Sequence, residues 1–197
     1  MASKGYKTIR DKVRKLVKEA CYSPTNKFKK TAWDYHILSV VEYSLKLGRK
    51  LKADPEVLEL AALLHDYSGI LDIDLYKDHH AHSARLAEEI LSRLDYPEEK
   101  TRSIQKAIFN HRGSLKLKRR SLEEKILASA DAMTHITELA DMFYLAYKVH
   151  GYETREGAEW LKKKLERSWK KIMKEGRELV KDDYKAALKI IARTQKI

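Results

Sequence analysis

Breaks in this chain are so few that helices are almost all it can form. Seven glycines and three prolines are spread over 197 residues, of which 43% are hydrophobic and 36% charged. Abundant Lys, Glu, Leu and Ala lose little freedom in a helix, so an all-α chain is the expectation. The few breakers then set the boundaries. Tyr22-Ser23-Pro24-Thr25-Asn26 ends a basic amphipathic segment over residues 8–20, and a second helix spans 33–50. Asp54-Pro55 supplies an N-cap followed by proline at the first helical position, and Ser68-Gly69 closes the helix it opens. An acidic and apolar linker over 70–77 leads to helices over 80–94 and 98–111, joined at Asp95-Tyr96-Pro97.

Ser121-Leu122-Glu123-Glu124 reads as a capping box at the head of a long helix over 122–150. After Gly151 two charged helices, 153–174 and 177–195, are divided at Gly176. Trp160, Leu161, Leu165, Trp169, Ile172 and Met173 recur there at helical spacing and form a packing face, for the bundle or for a second subunit. The expected organisation is a helical domain over 1–150 with a C-terminal helical extension over 151–197.

Chemistry enters at His65-Asp66, which closes the apolar run from Leu58 to Leu64. Adjacent imidazole and carboxylate at the end of a buried helix serve few structural purposes, but they are a mixed N/O donor pair of the kind that Zn, Fe, Mn, Ni or Co accepts. His36 shares a helix face with Val40, Tyr43 and Leu47, so it points with apolar side chains. Asp131 lines up with Leu127 and Ala128 before it and Thr134 and His135 after it. A carboxylate on such a face is costly unless a cation or another partner offsets it. Taken singly, His36 also fits a hydrogen-bonded core histidine, and Asp131 a carboxylate paired with lysine.

The order His36, His65-Asp66, Asp131 on successive helices resembles the HD-domain superfamily of metal-dependent phosphohydrolases. Asp78-His79-His80-Ala81-His82-Ser83-Ala84 and Asn110-His111-Arg112-Gly113-Ser114 are similar to the additional histidine motifs of its small members. The resemblance implies that His36, His65, Asp66 and Asp131 hold one divalent metal. One of His79, His80 or His82, with His111, would bind a second metal or contact phosphate. Spacing from Ser83-Ala84 points to His79 over His80, with His82 last.

The implied reaction is hydrolysis of a phosphate ester or anhydride of a nucleotide, with Asp66 orienting the attacking water. His111, His79 and His80 would neutralise charge or protonate the leaving oxygen. Arg112, Lys116 and Lys118, the last two in the basic stretch 116–120, are candidate phosphate clamps. Two other classes compete: a catalytically idle regulatory domain binding a nucleotide or RNA, and a di-iron oxygenase on the same fold. Titration of a nucleotide without turnover marks the first, and an oxygen-dependent product the second.

A net charge of +12 admits nucleic acid as a partner, but no recognised nucleic-acid-binding signature accompanies it. Solvated lysine faces that draw small anions are the simpler account. The single cysteine, Cys21, excludes an intrachain disulfide framework and points to the cytoplasm. No signal-peptide core and no membrane span is expected. Two Asn and two Gln beside abundant Lys and Glu resemble a thermophile's usage.

Overall fold

A computed structural model describes residues 5–115 and 117–193, and every regular element among the described residues is helical. The chain runs through α1 (Tyr6–Tyr22), α2 (Leu38–Leu51), α3 (Pro55–Leu64), α4 (Tyr67–Leu71), α5 (His79–Arg93) and α6 (Glu98–Asn110). It continues with α7 (Leu122–Thr137), α8 (Leu139–Phe143), α9 (Thr154–Lys171) and α10 (Lys174–Arg193). Lys116, one of the phosphate clamps expected from the sequence, lies outside the described residues.

Helix α7 is the axis of the fold. It is buried without interruption from Ile126 to Ile136, and it packs against α2, α3, α6, α9 and α10. A stretch buried on every side has no solvated face to offer, and the other helices surround it. Leu127 and Ala130 join a core built with α1, α2, α3, α5 and α6. Ile126, Ala132, Met133 and Ile136 join a second core with α9 and α10. Asp131 sits between the two.

Caps anticipated from the sequence form. The Asp54 side chain accepts from the Glu56 and Val57 amides, and Ser121 with Glu124 makes a reciprocal capping box. Three boundaries differ from expectation. The helix predicted over 122–150 stops at Thr137, Glu138 leaves helical geometry at φ −94°, ψ 53°, and its carboxylate accepts from Ser39 Oγ at 3.0 Å. No Gly or Pro marks this break; a side-chain contact 99 residues away in sequence accompanies it. Gly176 does not divide the C-terminal helices, since α10 already starts at Lys174. A Cβ there would lie 2.7 Å from Ile172 Cγ2 and 2.8 Å from Met133 Sδ, so glycine permits close approach of α10 to α7. Finally, Ser68 and Gly69 lie inside α4; the turn falls earlier, at His65-Asp66.

Gly48 brings α2 against α3, because any Cβ would overlap Leu58 Cδ1, and Leu58 is fully buried. Alanine at 48 gains about 1 kcal/mol of helix propensity but overpacks this contact by about 1–3 kcal/mol. Gly48→Ala is therefore expected to lower the melting temperature in a calorimetric scan, against the usual direction for Gly to Ala in a helix.

Candidate metal centre and its cavity

Five helical segments supply the residues that meet in the middle of the molecule. His36 lies in a π-helical stretch, Ala32–Ile37, that leads into α2. His65 follows the last residue of α3, His79 opens α5 and His111 follows α6. Asp131 and His135 are one turn apart on α7. Asp66 joins α3 to α4 with φ −110° and ψ 8°, near the sparsely populated bridge region common at active sites. Ser68 and Ser83 fix α5 to this turn: their hydroxyls are 3.0 Å apart, and Ser68 Oγ donates to the His79 carbonyl at 3.2 Å.

Three imidazoles are held the same way. His65 Nδ1 donates to Ala62 O at 2.8 Å, His79 Nδ1 to Tyr76 O at 2.8 Å and His111 Nδ1 to Ile108 O at 2.5 Å. A carbonyl only accepts, so each Nδ1 carries the proton and each Nε2 presents a bare lone pair inward. Yet Nε2 of His79 and Nε2 of His111 are 3.2 Å apart, and Nε2 of His65 is 3.1 Å from Nε2 of His36. Asp66 stands between the pairs. Its Oδ2 is 3.2 Å from His36 and 3.4 Å from His65, and its Oδ1 is 3.2 Å from His79 and 3.6 Å from His111. Oδ1 is buried with no hydrogen-bond partner. His79 Nε2, His111 Nε2 and Asp66 Oδ1 thus converge as acceptors with no proton between them, and a cation resolves that repulsion. The donor set therefore fits a divalent metal.

Among the described residues two overlapping groups have donor atoms close enough to share an ion: His36, His65 and Asp131, and His65, Asp66 and His111. Backbone carbonyls holding Nδ1 are the outer-shell arrangement that orients ligating imidazoles. Burial pushes His65 and His79 down to about 4, which keeps both neutral. Burial works against ionised Asp66, but the surrounding imidazoles, His65 and His79 foremost, hold it well below the usual carboxylate range as they gain protons in acid.

A pH dependence follows for protein stripped of metal. The unfolded histidines take up protons from about 6.5, whereas folded His65 and His79 resist until about 4. Their stabilisation is complete above 6.5 and is lost as pH falls from 6.5 to 4. Together they are expected to remove on the order of several kcal/mol across that window. Thermal melts of chelator-treated protein at pH 7 and pH 4.5 check this; equal melting temperatures would contradict the buried neutral assignment.

The cluster forms the floor of a cavity of about 540 Å³. Its walls are cationic. Arg112 lies at the rim, its Nε donating to Ser114 Oγ at 2.8 Å and its Nη1 to the Lys77 carbonyl. Helix α9 contributes Lys164, Arg167, Ser168 and Lys171. Lys171 Nζ donates to Asp131 Oδ2 and to the His111 carbonyl, leaving Asp131 Oδ1 3.8 Å from His36 Nε2. His135 stacks on His36 at 5.8 Å between centroids and bonds Ser168 Oγ through Nδ1.

Of the residues anticipated from the sequence, His36, His65, Asp66, His79, His111 and Asp131 are brought together, with Arg112 beside them. His80 is turned away, its ring 5.3 Å from Phe109 and its Nδ1 3.4 Å from Arg112 Nη1. His82 joins neither donor group. Lys118 is exposed and does not line the cavity. Its neighbour Arg119 instead ties the loop together, donating to the carbonyls of Asn110, His111 and Arg112. Sequence reasoning missed the α9 residues and the place of His135. A signal existed: Lys164 and Lys171 occur among the apolar positions Leu161, Leu165 and Ile172, where a solvated lysine has no reason to be.

Comparison with known proteins gives the family and the fold. The family model described as HD domain matches residues 33–136, more than half of the chain. The chain belongs to the HD domain family. The HD match opens three residues before His36 and closes one residue after His135, so α9 and α10 fall outside it. Solved structures with the same fold include YpgQ of Bacillus subtilis, at 21% identity and a TM-score of 0.73, covering 98% of this chain and 97% of that one. Lin1889 of Listeria innocua is 20% identical, with a TM-score of 0.71 and coverage of 97% and 96%. A predicted HD superfamily hydrolase from an uncultured Thermotogales bacterium is 22% identical, with a TM-score of 0.63 and coverage of 93% and 89%. These likenesses extend the shared fold through the C-terminal helices. No curated protein matches the chain. Among the described residues no helix is long and apolar enough to cross a membrane.

Proposed function

We propose that this HD protein is a metal-dependent phosphohydrolase that cleaves a phosphate ester or anhydride of a nucleotide. One observation carries the reading: bare imidazole and carboxylate donors converge at the floor of a cavity whose walls are cationic. His36, His65, Asp66 and Asp131 would hold the metal, with His79 and His111 as donors toward a second. A divalent cation bound there supplies Lewis acidity and brings the pKa of a water toward neutrality.

The side chains divide the remaining work. Asp66 Oδ1, buried without a partner, is an acceptor available to orient an attacking water. His79, held neutral with its inward nitrogen bare, suits ligation or proton acceptance and has no proton to donate. Arg112, fixed at the rim by Ser114 and the Lys77 carbonyl, presents a guanidinium in the geometry that phosphate accepts. Because α9 walls the cavity, residues 1–150 and 151–197 act here as one unit. Support for a nucleotide comes from YpgQ, which has been solved in complex with ADP.

The test is metal content of protein purified without chelator, run beside phosphate release from a nucleotide panel with Mn, Ni, Co or Mg, for wild type and Asp66→Ala. Metal-dependent release abolished by the substitution is expected. Bound metal with no turnover on any nucleotide would favour a regulatory role, and iron with an oxygen-dependent product an oxidative one.

A further inference from the structure

Helix α9 carries charges of two kinds. Lys163 points outward, exposed and paired with Glu159 at 2.8 Å. Lys164, the next residue, lies among the buried side chains of Leu161, Leu165 and Ser168 and lines the cavity. Arg167, one turn further, lines the cavity mouth and is exposed. Neither Lys164 nor Arg167 has a hydrogen-bond or ion-pair partner among the described residues.

This arrangement is unfavourable by itself. Like charges three residues apart on a helix repel, and a part-buried ammonium without a counter-charge costs free energy. Burial pushes Lys164 down to about 8 against the opposing pull of the Asp131 carboxylate, with Lys171 and Arg167 adding to the fall. Of the carboxylates lining the cavity, Asp131 is in direct contact with Lys171 and Asp66 belongs to the metal donor set, and none of them, Asp74 included, makes an ion pair with Lys164 or Arg167 among the described residues. A cation pair left open toward a cavity calls for an anion from outside the chain.

We propose that Lys164 and Arg167 form an anion subsite that receives a phosphoryl group of the substrate. The assignment rests on the phosphohydrolase reading for the identity of the anion. It places phosphate recognition on α9, outside the HD match, instead of on the basic stretch 116–120. Adjacent positions on one helix face can close on a single tetrahedral anion, the guanidinium binding two oxygens and the ammonium a third.

The experiment is calorimetric titration of inorganic phosphate and of pyrophosphate into the full chain after chelator treatment, for wild type, Lys164→Met, Arg167→Met and Lys163→Met. Wild type is expected to bind at least pyrophosphate. Lys164→Met and Arg167→Met should each weaken binding about tenfold or more, while Lys163→Met stays within about twofold. Lys164→Met should melt at or above the wild-type temperature, because it removes an uncompensated charge from a part-buried position. Absence of wild-type binding, unchanged affinity in Lys164→Met, or equal loss in Lys163→Met would overturn the subsite. So would a lost affinity accompanied by a lowered melting temperature in Lys164→Met, which would mark a structural lysine. Binding without metal is independent of turnover, so an inactive protein that still binds phosphate would sink the hydrolase reading and leave the subsite standing.

Discussion

Asp66→Asn should fold as wild type does, lose metal, and lose metal-dependent phosphate release by on the order of a thousandfold or more. The substitution keeps shape and removes charge, so it separates the chemistry of the site from its packing. In the wild type, four imidazole nitrogens lie 3.2–3.6 Å from the two carboxylate oxygens, and three of them belong to rings whose proton is spent on a backbone carbonyl. The asparagine amide brings two N–H donors into that ring of acceptors. Metal-free Asp66→Asn is therefore expected to melt no lower than metal-free wild type, while the rise in melting temperature on adding Mn disappears. A variant that melts lower without metal would mean that the carboxylate is held by protonated imidazoles and that the cluster is an ion-pair network in its own right. The two outcomes are read from the same pair of scans.

How much of this is legible in the sequence depends on whether a residue's surroundings are local. His36 and Asp131 can be read because each shares a helix face with apolar residues, and that phase is a property of a few consecutive positions. His65-Asp66 can be read because it ends an apolar run. The choice between His79 and His80 cannot be settled that way, since neighbours on a helix point about 100° apart and the register of α5 is set by Ser68 reaching Ser83, 15 residues away. His80 consequently faces Phe109 and Arg112 and not the donors. Charge is the least legible feature. Lys118 and Lys164 look alike in a chain with 41 basic residues, and only the docking of α9 along α7 separates an exposed loop lysine from one that walls a cavity. The helix break at Glu138 is invisible for a related reason, being marked by a contact from Ser39 and by no local breaker.

Lys171→Met is expected to expose what Lys171 does for a site without metal. Asp131 and Lys171 are each 7% exposed in their side chains and are in direct contact, and burial alone would push Asp131 upward. Lys171 foremost, then His135, His111 and His36, reverses that and holds the carboxylate well below its usual range. Removing one partner of a buried pair strands the other charge, which costs about 3–5 kcal/mol. His135, 3.4 Å from Asp131 Oδ1, offsets part of this, so the lower end applies: about 3 kcal/mol, or about 10 °C in melting temperature. Saturating metal should return most of the loss, because a divalent cation at Asp131 takes over the compensating charge, and it meets one fewer positive charge when it binds. The metal-induced rise in melting temperature is then larger in Lys171→Met than in wild type, the reverse of what a damaged site would give. Should the metal-free variant melt within about 2 °C of wild type, the histidines alone would suffice to carry Asp131, and Lys171 would be free to serve the substrate.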